Sequence, residues 1–123
     1  MKTILAVLLC LPLTLAAAKD KVPKSVTMED LQAQQRVKSI AIVQAHVLEA
    51  MKDPDSAKFR NVAATTTGAF VCGEVNAKNS MGGYAGFTRF YGDYVDTLSI
   101  ESERMSDGEK RVFDAMWRDT CPK

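Results

Sequence analysis

Ala69-Phe70-Val71-Cys72-Gly73-Glu74-Val75-Asn76-Ala77-Lys78 is the stretch on which the fold turns. Its residues sort by twos. Ala69, Val71, Gly73, Val75 and Ala77 share one side, and Phe70, Cys72, Glu74, Asn76 and Lys78 share the other. Period two is the signature of a strand, and a small apolar side opposite a polar one predicts a sheet with one face on a core. The Glu74-Asn76-Lys78 side is then expected to face water, as one face of an antiparallel sheet commonly does.

Strand patterns continue on both sides. Thr67-Gly68 is a turn signal, and Arg60 to Thr66 before it is short and partly β-branched. Asn79-Ser80-Met81-Gly82-Gly83 reads as a loop, followed by aromatic-rich strand material from Tyr84 to Tyr91. Gly92-Asp93 fits a two-residue hairpin turn leading into Tyr94 to Glu101. Connections this short predict a meander of about four strands.

Helical patterns flank the strands. Thr27 suits an N-cap, with Glu29 and Asp30 in a first turn where carboxylates complement the helix dipole. Leu31, Val37, Ile40, Ala41, Gln44, Val47, Leu48 and Met51 recur at helical spacing, and Ile42 and Val43 widen the stripe. This predicts an amphipathic helix to about Met51. Asp53-Pro54 ends it, with Asp53 expected to cap a short turn through Ala57 and Phe59 to drop into the core. Ser106-Asp107-Gly108-Glu109 has capping-box spacing. Val112, Phe113, Met116 and Trp117 follow on one face of a second helix that ends before Cys121-Pro122. The expected class is α+β: an N-terminal amphipathic helix, an antiparallel meander sheet and a C-terminal helix.

The N-terminus has a different character. Lys2 precedes an apolar run from Ile4 to Leu15, and Ala16-Ala17-Ala18 supplies small residues. These are the three regions of a cleavable signal peptide, here residues 1–18. The run is shorter than the about 20 apolar residues of a spanning helix, and Pro12 interrupts it. Cys10 follows Leu9 rather than a small residue, which disfavours lipidation, and it would be lost on cleavage. Residues 19–26 are polar, contain Pro23 and read as a flexible lead-in. Residues 27–123 then form a single domain.

Cleavage would simplify two counts. It removes one of 16 basic residues, leaving them equal to the 15 acidic ones. A scattered, balanced charge excludes electrostatic capture of nucleic acid or anionic lipid as a principal activity. It also leaves Cys72 and Cys121 as an even pair, which in an oxidising compartment reads as a disulfide. With no CxxC and His46 the only histidine, a structural zinc site is not expected. His46 is placed on the exposed side of the first helix.

Two runs resemble a set of small exported bacterial proteins of uncharacterised activity. The first is Lys52-Asp53-Pro54-Asp55-Ser56-Ala57-Lys58-Phe59-Arg60-Asn61-Val62. The second extends from Val71 through Cys72-Gly73-Glu74-Val75-Asn76-Ala77-Lys78-Asn79-Ser80-Met81-Gly82-Gly83-Tyr84 to Phe90. The resemblance spans about residues 40–100 and is most specific at Cys72–Phe87. It implies a bacterial source and an exported or envelope location, and it carries no activity and no functional residues.

The candidate site is therefore read from side-chain chemistry. Glu74, Asn76 and Lys78 lie in a row, Asn79 ends it, and Arg89 is expected on the neighbouring strand. Tyr84, Phe87 and Phe90 add aromatic surface of the kind enriched at interfaces. Such a row can bind a polar ligand or a partner's backbone. It equally suits a solvated sheet face, with Glu74 paired to Lys78 or Arg89. No catalytic triad, phosphate loop or paired carboxylates can be identified, and no cofactor is implied. The leading expectation is a non-enzymatic binding module with a protein partner in the envelope. The alternatives are a small hydrolase using Glu74 as acid or base, and a purely structural component.

Overall fold

The computed structural model describes residues 25–123; the signal-peptide reading and most of the lead-in segment lie outside them. Helix α1 spans Met28–Ala50 and a single 3-10 turn covers Pro54–Ser56. Strands β1 (Lys58–Ala64), β2 (Phe70–Asn76), β3 (Thr88–Asp93) and β4 (Leu98–Ile100) follow, then helix α2 (Asp107–Thr120). The strands form one antiparallel sheet in the order β1-β2-β3-β4, the expected meander.

One helix packs on each face of the sheet. Val71 and Val75 of β2 and Phe90 of β3 point to one side and are buried with Val43 and Val47 of α1. Fully burying such side chains contributes about 1.5–3 kcal/mol each. Gly73 lies between the two valines opposite Phe90, where a Cβ would stand 2.7 Å from the ring and 2.8 Å from Val62 Cγ2. Glycine lets the aromatic ring occupy that space. On the opposite face, Cys72 and Tyr91 are buried against Phe113 of α2, with Met105, Trp117 and Cys121 packed around them.

Both helix starts carry complete capping boxes. Thr27 Oγ1 accepts from the Asp30 amide while Asp30 accepts from the Thr27 amide, and Ser106 and Glu109 do the same for α2. These bonds hold the Asp30 and Glu109 carboxyls below their ordinary range. The Cys72–Cys121 disulfide ties the C-cap of α2 to the middle strand across a Cα separation of 5.7 Å.

Several expectations change. The apolar stripe of α1 is displaced: Leu31, Val37 and Ala41 are exposed, and the fully buried positions are Ser39, Val43 and Val47. Ser39 is a polar residue inside because its hydroxyl donates to the Gly68 carbonyl at 2.7 Å, holding the β1–β2 turn against the helix. His46 is half-buried and lines a recess with Glu49, Val95, Asp96 and Leu98 instead of standing on a free face. In α2, Phe113 is buried but Val112 and Met116 remain exposed.

Gly92-Asp93 is not the hairpin turn, since both residues belong to β3. The Asp93 carboxylate instead accepts the amides of Val95, Asp96 and Thr97, building the turn one step later. Gly92 is required for a different reason: a Cβ there would stand 2.7 Å from the Thr97 carbonyl oxygen. Residues 84–87 precede β3, contributing only an isolated bridge between Lys78 and Tyr84. The turn after α1 runs over Pro54–Ser56, and Asp53 caps it without a side-chain hydrogen bond.

Candidate binding surface

Helix α2 covers only part of its sheet face. Cys72 lies beneath it, but two and four residues further along β2 the same face carries Glu74 and Asn76. The expected open polar face is thus divided: one half is core under α2, and the other opens toward the 77–87 loop.

Two ion clusters stand on this face. Glu74 accepts from Arg60 through both carboxylate oxygens, at 2.9 and 3.0 Å, and from Asn61 Nδ2 at 2.8 Å. Asn61 reaches it through a bulge: the β1–β2 register shifts between Arg60 and Ala63, and Asn61 takes a positive φ of 52°. Asparagine tolerates that left-handed conformation better than most residues. The guanidinium of Arg60 also lies 3.9 Å over the Phe87 ring. Arg89 is Glu74's cross-strand neighbour but turns to the second cluster. It donates to both Glu101 oxygens at 2.8 and 2.7 Å and to Asp114 of α2 at 2.7 Å. Its guanidinium also approaches the rings of Phe113 and Trp117. Arg89 is therefore a strut between sheet and α2.

The electrostatics follow these bonds. The hydrogen bond from Arg60, then that from Asn61, holds the Glu74 carboxyl below its ordinary range. The bond from Arg89 does the same for Glu101, against an opposing effect of partial burial. A general acid at neutral pH needs the opposite shift, so Glu74 is a poor proton donor here. Among the described residues no group of three or more His, Cys, Asp or Glu side chains could hold a metal ion. A recess of about 460 Å³ lies between α2 and the sheet edge, lined by Tyr91, Ser99, Met105, Val112 and Phe113 among others. Its lining is mainly apolar.

The remaining candidates build the loop. Asn76 Oδ1 accepts the Gly86 amide at 3.3 Å. Asn79 Oδ1 accepts the amides of Met81 and Gly83, and its own amide donates to the Gly83 carbonyl. Tyr84 donates its hydroxyl to the Ser56 carbonyl at 3.0 Å, and Ser56 Oγ accepts the Lys78 amide at 2.8 Å. Lys58 and Lys78 bring their ammonium groups within 4.8 and 5.9 Å of the Tyr84 ring centroid. The loop is thus held from within while its tip, Met81, is 94% exposed.

The six sequence candidates therefore separate. Asn76, Lys78, Asn79 and Tyr84 gather at the loop, Glu74 borders it, and Arg89 is engaged beneath α2. The sequence reading missed Lys58, Arg60, Asn61 and Ser56, whereas Phe87, expected as aromatic surface, lies against Arg60. The chance of detecting the missed residues lay in the β1–β2 register, which the bulge hides. Compared with family models, curated proteins and solved structures, the chain finds no match, so this surface is read from its own geometry.

Proposed function

We propose that this is a small exported bacterial protein of the periplasm or extracellular space, acting as a non-enzymatic binding module for a protein partner. The observation that carries the reading is the loop over residues 77–87. It is stiffened by Asn76, Asn79 and Tyr84, yet presents Met81 and half of Tyr84 to solvent. Ordering a loop before binding reduces the entropy lost on association. The disulfide supports an oxidising location. Among the described residues, no helix is long and apolar enough to cross a membrane. The hydrolase alternative draws no support from Glu74, whose oxygens are occupied and whose proton affinity is lowered.

The test is a photo-crosslinking residue placed at Met81 in the native envelope. A discrete protein adduct is expected, and it should disappear when Tyr84→Ala loosens the loop. A control probe at Glu103, exposed in the turn before α2, should give a different pattern. Identical adducts from both positions, or none from Met81, would remove the loop from the binding surface.

A further inference from the structure

On the α2-side face of the sheet, most charged and polar groups already have partners. Glu74 is held by Arg60 and Asn61, Asn76 by the Gly86 amide, and Arg89 by Glu101 and Asp114. Lys58 and Lys78 are different: neither ammonium is paired with a carboxylate among the described residues. Both approach one ring, that of Tyr84, which is itself anchored through its hydroxyl to Ser56. A ring face attracts each cation but leaves its charge uncompensated. Two positive charges gathered at one ring repel each other, and an anion between or beside them relieves that repulsion.

We propose that Lys58, Lys78 and the Met81 tip together receive an acidic segment of a protein partner, one with a carboxylate close to an apolar side chain. This inference rests on the binding-module reading above and names the chemistry of its partner. The two lysines supply charge complementarity, and holding them at Tyr84 limits the rotamer freedom that pairing would otherwise remove. Met81, exposed at the tip of the loop that follows Lys78, supplies a flexible, polarizable apolar contact. A protein segment fits better than a lipid surface. Two lysines provide only about 1 kcal/mol each toward an anionic membrane, and stable anchoring needs more than one methionine adds. A nucleic acid fits poorly as well, because its capture draws on many phosphate contacts.

The experiment titrates the isotopically labelled protein, followed by amide NMR, with a short peptide rich in Glu-Leu-Glu and with its Gln-Leu-Gln counterpart. Inorganic phosphate and phosphatidylglycerol vesicles are titrated in parallel. Shifts confined to Lys58, Lys78 and residues 80–86 are expected with the acidic peptide alone. They should weaken with added salt and fall by up to about tenfold in affinity in Lys58→Gln/Lys78→Gln, as two exposed ion pairs would allow. An equal response to the Gln peptide overturns the proposal, because charge is then not what is read. A response only to phosphate or vesicles overturns it in favour of a phosphate-bearing ligand. Absence of any loop response at millimolar acidic peptide also overturns it. If Met81 still crosslinks a partner in that last case, the binding surface stands and only its acidic preference falls.

Discussion

The two faces of the sheet are held by different physics. Under α1, burial is nearly all apolar: Val43, Val47, Val71, Val75 and Phe90 exclude water completely or almost so, with Phe59 set edge-on to Phe90 at 5.9 Å. Under α2, Phe113 is the only residue of the helix that is fully withdrawn from solvent. Attachment there depends on its packing against Cys72 and Tyr91, on the Arg89 strut and on the disulfide. The α1 face is a core formed mainly by apolar area, with the Ser39–Gly68 hydrogen bond at the turn, whereas the α2 face combines a small aromatic cluster with a covalent tie. A domain of this size can bury only a modest core, and a disulfide supplements one that is thin. It also leaves room on the same face for an uncovered half.

The largest effect should come from the α1 face. Phe90→Ala should destabilise the domain by about 3–5 kcal/mol, because a fully buried ring is removed from a tightly packed site. Urea unfolding would measure it, and a loss below about 1 kcal/mol would break the assignment of Phe90 to the principal core. Replacing Cys72 and Cys121 by serine should cost about 4 kcal/mol by chain entropy, for a sequence separation of 49. Hydrogen exchange should show α2 losing protection beyond the fall shared by the whole domain, and a fall no greater in α2 than in α1 would contradict the division between the faces.

Arg89→Met should cost about 1–2 kcal/mol, since it removes a partly exposed bidentate pair and the link to Asp114. The same variant should change the acid limb of stability. Glu74 and Glu101 have folded-state proton affinities below their unfolded ones. Their contribution is therefore complete above the unfolded carboxylate range and is lost as pH falls through the lower folded values. Stability should be flat from neutral pH down to about 5 and then decline. Arg89→Met should flatten that decline by removing the Glu101 part; an identical slope in the variant would separate Arg89 from Glu101. The smallest effect is expected at Met81→Ser, within about 0.5 kcal/mol for so exposed a side chain. A large drop in melting temperature there would mean that the loop tip supports the fold.

Much of the framework was legible in the chain. Thr27 and Ser106 announced both helix starts, the alternation at Val71, Gly73 and Val75 marked the central strand, and Cys72 and Cys121 formed the expected pair. These signals are local, or in the cysteine case depend on a count. The apolar stripe of α1 was harder to read because apolar residues occur all around the helix, so periodicity could not show that Ser39 lies inside and Val37 outside. Gly92-Asp93 resembled a turn because its glycine answers a tertiary demand, the approach of the Thr97 carbonyl.

Sequence alone determined the α+β class, the helix caps, the central strand and the pairing of the cysteines, because each depends on neighbouring residues or on composition. Only the tertiary structure decided how the polar side of the central strand is shared. The disulfide brings α2 over Cys72 and Tyr91, the bulge at Asn61 directs its amide onto Glu74, and Lys58 from β1 meets Lys78 at Tyr84. Each of those meetings joins residues distant in sequence, through strand register and helix placement that no local pattern encodes.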